Sequence, residues 1–99
     1  MVSKKKRNYR LLVSEVHDIG GGEMMYTFYD TNKYDIYEEY KYRGSALNLR
    51  GENGHLRVGD IIELDAKHET NRFKRYCMKL KEGVRVTWLS YPSNKKLVT

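Results

Sequence analysis

One proline and one cysteine stand among the 99 residues. A lone Cys77 cannot close an internal disulfide, so a reducing, cytoplasmic setting is expected. Nor can it complete a structural zinc site, and His17, His55 and His68 are scattered without metal-ligand spacing, so no metal or cofactor is expected. No apolar run approaches the roughly 18 residues that span a bilayer, which excludes a membrane helix. The start, "MVSKKKRNYRLLV", is basic but has no hydrophobic core segment, and it reads as a solvated arm over 1–7 rather than a secretion signal. The triple glycine at 20–22 lacks the lysine and serine or threonine of a phosphate-binding loop, so it is a turn. An excess of acid is missing too: the net charge is +6, the wrong sign for a mimic of DNA.

Tyrosine and cations fill the gap. Nine tyrosines stand against two phenylalanines and one tryptophan. Tyrosine carries a large apolar ring with a polar tip, which suits half-buried faces and binding surfaces. The basic balance makes an acidic partner plausible, nucleic acid being the commonest. Thirty-nine per cent hydrophobic residues are enough for one modest core, and the length allows one domain over 1–99.

Turn residues recur about every eight to twelve positions, the rhythm of a small all-β domain. Strands are expected at 8–18, 24–30, 60–68, 74–81 and 84–90, with Met24, Tyr26 and Phe28 on one face of the second and Met25, Thr27 and Tyr29 on the other. The segment "YDIYEEYKYR" (34–43) is open. As a strand it groups Tyr34, Ile36, Tyr40 and Tyr42 on one face; as a helix it is capped by Asp35 and Glu38 and stopped by Gly44. Tyrosine density favours the strand. "SALNL" offers one helical turn at most. Pro92 should end the last strand, because it cannot donate to a ladder, and 92–99 should fray. Core positions are expected at Tyr26, Tyr34, Tyr40, Tyr42 and Tyr76, with Trp88 as a packing residue. The fold class is therefore all-β, a single barrel of five or six strands.

The most regular stretch is "RVGDIIELDAK" (57–67). Ile62, Leu64 and Ala66 alternate with Glu63, Asp65 and Lys67, and the alternation puts the first three inside. Pairing with 74–81 would set Ala66 opposite Tyr76, Leu64 opposite Met78 and Ile62 opposite Leu80. On the outer face Glu63 would then meet Lys79, and Lys67 would lie beside Arg75. The acidic face thus has an ordinary use, cross-strand ion pairs worth about a few tenths of a kcal/mol each.

Val58, Gly59, Asp60, Ile62, Leu64 and Ala66, followed by Tyr76, Leu80 and Val84, resemble the second half of OB-fold domains, small barrels that bind oligonucleotides or oligosaccharides. The resemblance covers about a third of the chain. It implies a binding face on the second and third strands, flanked by the hairpin tip between the fourth and fifth. That surface would hold Tyr29, Tyr37, Lys41 and Arg43, with Arg72, Phe73, Lys74 and Arg75 at the tip. Rings stack on bases without regard to sequence, and cations follow the phosphates.

Single-stranded DNA or RNA is then the expected partner of a non-catalytic module. A second expectation is an inhibitor or adaptor that grips an acidic protein, since tyrosine and arginine also dominate protein hot spots. A nuclease competes weakly: Asp65-Ala66-Lys67 matches the acid-x-lysine half of one nuclease pattern, with Asp35 or Asp60 as the second acid around a divalent ion. Cys77, without an identifiable histidine, is a free thiol rather than a nucleophile.

Overall fold

The computed structural model describes residues 5–52, 54–69 and 82–98. Five strands occupy them: β1 (Arg7–Gly20), β2 (Glu23–Asp30), β3 (Glu38–Gly44), β4 (Ile61–Glu69) and β5 (Arg85–Leu97). They close into a barrel in the order β1-β2-β3-β5-β4. Every pairing is antiparallel except β3 with β5. No helix occurs among the described residues.

β1 makes closure possible because one long strand serves two neighbours. Arg7 to Leu12 pair with Ala66 to Ile61 of β4, while Leu11 to Gly20 pair with Asp30 to Glu23 of β2. Irregularities between Val13 and Glu15 and between Asp18 and Gly20 bend it across the corner, as bulges do. Gly20, Gly21 and Gly22 all have positive φ, and the turn into β2 depends on that freedom.

The alternation read from the sequence sorts the side chains correctly. Leu11 and Val13, Tyr26 and Phe28, and Ile62, Leu64 and Ala66 are all essentially sealed from solvent inside the barrel. Burying each of the larger aliphatic ones fully stabilises by about 1.5–3 kcal/mol. Tyr40 and Tyr42 pack against the same core from β3.

The connection 45–60 plugs one end of the barrel with Leu47 and Leu56, both fully buried. "SALNL" makes a single turn, Asn48 N–H to the Ser45 carbonyl at 3.0 Å. Its course is set by the Tyr26 hydroxyl, which donates to Asn48 Oδ1 (2.6 Å) and accepts the Leu56 N–H (2.9 Å). Asp60 does the rest. Its carboxylate receives Arg50 Nε (2.8 Å), Arg50 Nη2 (2.6 Å) and the Arg57 N–H (2.8 Å), while its carbonyl accepts the Val13 N–H (2.8 Å). The Gly-Asp turn is thus a clamp tying the connection to β1.

Three expectations change. Residues 34–37 are neither strand nor helix: β3 starts at Glu38, and Tyr34 and Ile36 are 60% and 56% exposed rather than inward. The cause is local, because Asp30 accepts the Asn32 N–H and Asp35 accepts the Tyr37 N–H, each bending the chain before a ladder can form. Second, β5 continues through Pro92 to Leu97. Tyr91 and Pro92 lie between the pairs Lys67–Ser90 and Asp65–Ser93, a bulge where no ladder N–H is required. The expected tail is therefore strand, and Leu97 packs on the core. Third, both edges of β4 are taken, by β1 and by β5. Leu64 faces Tyr9 and Ile62 faces Leu11 and Leu97, in place of Met78 and Leu80. The segment 74–81, with Tyr76 and Cys77, lies outside the described residues, as does the start of the arm at 1–4. At the other end of the arm, Arg7 opens β1 and Lys6 Nζ donates to Ser93 Oγ at 2.9 Å.

Candidate nucleic-acid interface

The outer face of β4 answers to ordinary surface chemistry. Glu63 is 3.9 Å from Arg10 and opposite Lys96, not Lys79. Asp65 accepts Asn94 Nδ2 (2.8 Å) and Asn8 Nδ2 (3.1 Å), and the Asn94 bond, followed by that of Asn8, holds its carboxyl below the usual range. The Lys67 ammonium sits 5.4 Å from the centre of the Tyr91 ring. The acids that could complete a nuclease pair are engaged locally, Asp60 by Arg50 and Asp35 by the Tyr37 N–H. Among the described residues no group of three or more His, Cys, Asp or Glu is placed to hold a metal ion.

The residues expected to bind are dispersed. Tyr29, at the end of β2, is half-buried; its hydroxyl donates to Glu39 Oε2 at 3.4 Å and its ring lies 5.7 Å from Tyr34. Tyr37 is 61% exposed just before β3, and its carbonyl accepts the Arg85 N–H. Arg43 is exposed opposite Met25. Lys41 is buried, its ammonium donating to Thr27 Oγ1 at 2.6 Å. Arg72, Phe73, Lys74 and Arg75 lie outside the described residues.

Lys41 is one of several surprises on this wall. Met25 and Thr27 of β2, Glu39 and Lys41 of β3, and Val86 and Trp88 of β5 all occupy outward positions, yet none is more than 7% exposed. Met25, Val86 and Trp88 form a second hydrophobic cluster outside the barrel proper. The middle of the β2–β3–β5 wall is therefore packed rather than solvated.

Open chemistry gathers instead at one end of the barrel. There a cleft of about 190 Å³ is lined by Arg7 and Tyr9 of β1, Lys33 of the β2–β3 loop, Glu38 and Tyr40 of β3, His68 of β4, and Arg85 and Thr87 of β5. Tyr9 and Tyr40, both in its lining, meet at 5.4 Å between ring centres with planes 57° apart. Arg85 is 3.5 Å from Glu38 and neutralises it. Burial raises the Tyr9 phenol, opposed by Arg7; burial also raises that of Tyr40, with Asp30 pushing the same way. Both phenols consequently stay protonated at neutral pH, as O–H donors. Beside the cleft the 31–37 loop presents Tyr34, Ile36 and Tyr37, each more than half exposed.

Sequence reasoning missed the cleft because its lining comes from four strands and a loop. Only the basic start of β1 and the solitary Lys33 could have signalled it. Comparison with family models, with curated proteins and with solved structures gives no match.

Proposed function

We propose that this domain is an OB-like barrel that binds single-stranded nucleic acid without catalysing a reaction, and that its contact surface is the barrel end carrying the 31–37 loop. The carrying observation is the juxtaposition there of exposed Tyr34 and Tyr37 with Arg7, Lys33 and Arg85. Aromatic faces beside cations are what a flexible polyanion needs, since bases stack and phosphates are neutralised. The Greek-key strand order, with its parallel β3–β5 closure, agrees with an OB-like barrel and supports the same reading. The contact surface differs from the one carried over with the resemblance: Tyr37 stays in it, whereas Lys41 is turned to Thr27.

Fluorescence anisotropy with labelled oligonucleotides tests the proposal. Micromolar or tighter binding is expected at low salt, falling steeply as salt rises, because each phosphate contact releases a counterion. Replacing Tyr34 and Tyr37 together by alanine should weaken binding by about 1–3 kcal/mol per stacked base. The melting temperature should move only slightly, because both rings are more than half exposed and Tyr34 loses only its contact with Tyr29. No binding at low salt, or binding indifferent to the double substitution, refutes it.

One observation favours a second reading, a module that grips an acidic protein. Ile36, 56% exposed between the two tyrosines, offers an aliphatic anchor that stacking on bases does not use. Under that reading Ile36→Ser abolishes partner capture and oligonucleotides do not compete.

A further inference from the structure

The cleft has more specific chemistry than an electrostatic surface requires. Tyr9 is 8% exposed, and its hydroxyl hydrogen-bonds no other described residue. Tyr40 is partly buried, and its hydroxyl likewise bonds no other described residue. Neither hydroxyl is among the described polar atoms sealed from water without a partner, so both open on the cleft and are available there as donors. Two such donors share the cleft with the guanidinium of Arg7 and the ammonium of Lys33, neither of which is ion-paired to a described residue. The carboxylates nearby are already answered, Glu38 by Arg85 and Asp30 by the Asn32 N–H. A cation would find no free carboxylate here. A ligand rich in acceptors and carrying negative charge would find four converging donors. The volume, about 190 Å³, lies below the roughly 300–1,000 Å³ of pockets that hold a whole drug-sized molecule, so the cleft suits a single group.

We propose that this cleft receives a phosphate-monoester group, presented either by the phosphorylated end of a nucleic-acid strand or by a free nucleotide. A tetrahedral oxyanion has acceptor positions in every direction, matching donors that come from separate strands. A diester inside a strand offers fewer free oxygens and two bulky substituents, so an end fits where a middle does not. The inference deepens the function proposed above and rests on it for the strand, though not for the phosphate group itself.

The test compares three probes: one oligonucleotide with a 5′-phosphate or 3′-phosphate, the same oligonucleotide with hydroxyl ends, and a nucleoside monophosphate as competitor. Inorganic phosphate is titrated separately while backbone amide shifts are followed by NMR. A phosphorylated end is expected to bind at least about tenfold tighter than a hydroxyl end, since one hydrogen bond to a charged group is worth about that factor. Inorganic phosphate should shift the amides of residues 7, 9, 33, 40 and 87. The double variant Tyr9→Phe, Tyr40→Phe keeps both rings and should abolish the end preference while leaving hydroxyl-ended binding unchanged. Lys33→Gln, in an exposed loop where folding is not at issue, should reduce it severalfold. A monophosphate that competes as well as the phosphorylated strand identifies a free nucleotide as the ligand; a much weaker one identifies the strand end. Strands that bind equally with either end overturn the inference and leave the proposed function standing. Phosphate shifts without any strand binding do the reverse. No amide shift and no end preference overturn it outright.

Discussion

Replacing Asp60 by asparagine should cost more stability than any other isosteric change in this barrel. The side chain is 7% exposed and receives two guanidinium bonds from Arg50 and one backbone bond from Arg57. Asparagine keeps the shape but turns one acceptor oxygen into a donor aimed at donors. Breaking a buried ion pair by removing one partner costs about 3–5 kcal/mol when both charges are sealed. Here the Arg50 side chain is 34% exposed and regains hydration, so we expect about 2–3 kcal/mol. For a domain of this size that lowers the melting temperature by roughly 10–20 °C. The pH dependence carries a second signature. The Arg50 hydrogen bond, with help from the Arg57 N–H, depresses the Asp60 carboxyl. A depressed carboxyl contributes stability that is present above its unfolded value, about 3.9, and lost as pH falls through the lower folded one. The gap between wild type and Asp60→Asn should therefore be constant near neutrality and shrink below about pH 4. Urea unfolding at several pH values measures it, and Arg50→Ala with the double variant gives the coupling. A neutral-pH loss under about 0.5 kcal/mol, or a gap unchanged in acid, would show that the clamp is not an ion pair in solution.

Two further outcomes follow from the same geometry. Tyr26→Phe strands the Leu56 N–H and frees Asn48, so it should destabilise by about 1–2 kcal/mol and raise hydrogen exchange across 47–56 without altering β1. Pro92→Ala should change stability by less than about 0.5 kcal/mol in a urea titration, because the bulge asks nothing of its missing N–H; a larger effect in either direction contradicts the pairing on both sides of it.

The packed outer wall bears on the proposed binding site. Outward residues of a five-stranded barrel ordinarily meet solvent on a two-residue period, and most of β4 obeys that rule. On β2, β3 and β5 the period fails: Thr27 and Glu39 are as hidden as the core beside them. A Lys41 ammonium held by Thr27 has little left for a phosphate, and the proposed contact surface lies instead at the rim that carries Lys33.

The inner set of the barrel was legible in the chain because one residue in two along a strand must face the core. Ile62, Leu64 and Ala66, or Met24, Tyr26 and Phe28, declare that period without reference to any neighbour. Glycine runs marked the first turn for an equally local reason, a backbone angle other residues avoid. Which strands pair is not local. β4 lies between β1 and β5 because the bulges of β1 and β5 let each bend round a corner, and Pro92 survives inside a strand only where two residues face one. The tie between the Asp60 turn and Val13, and the Tyr9–Tyr40 cleft, depend on chain segments separated by tens of residues. Their chemistry exists only after closure of the barrel has brought those segments within hydrogen-bonding reach.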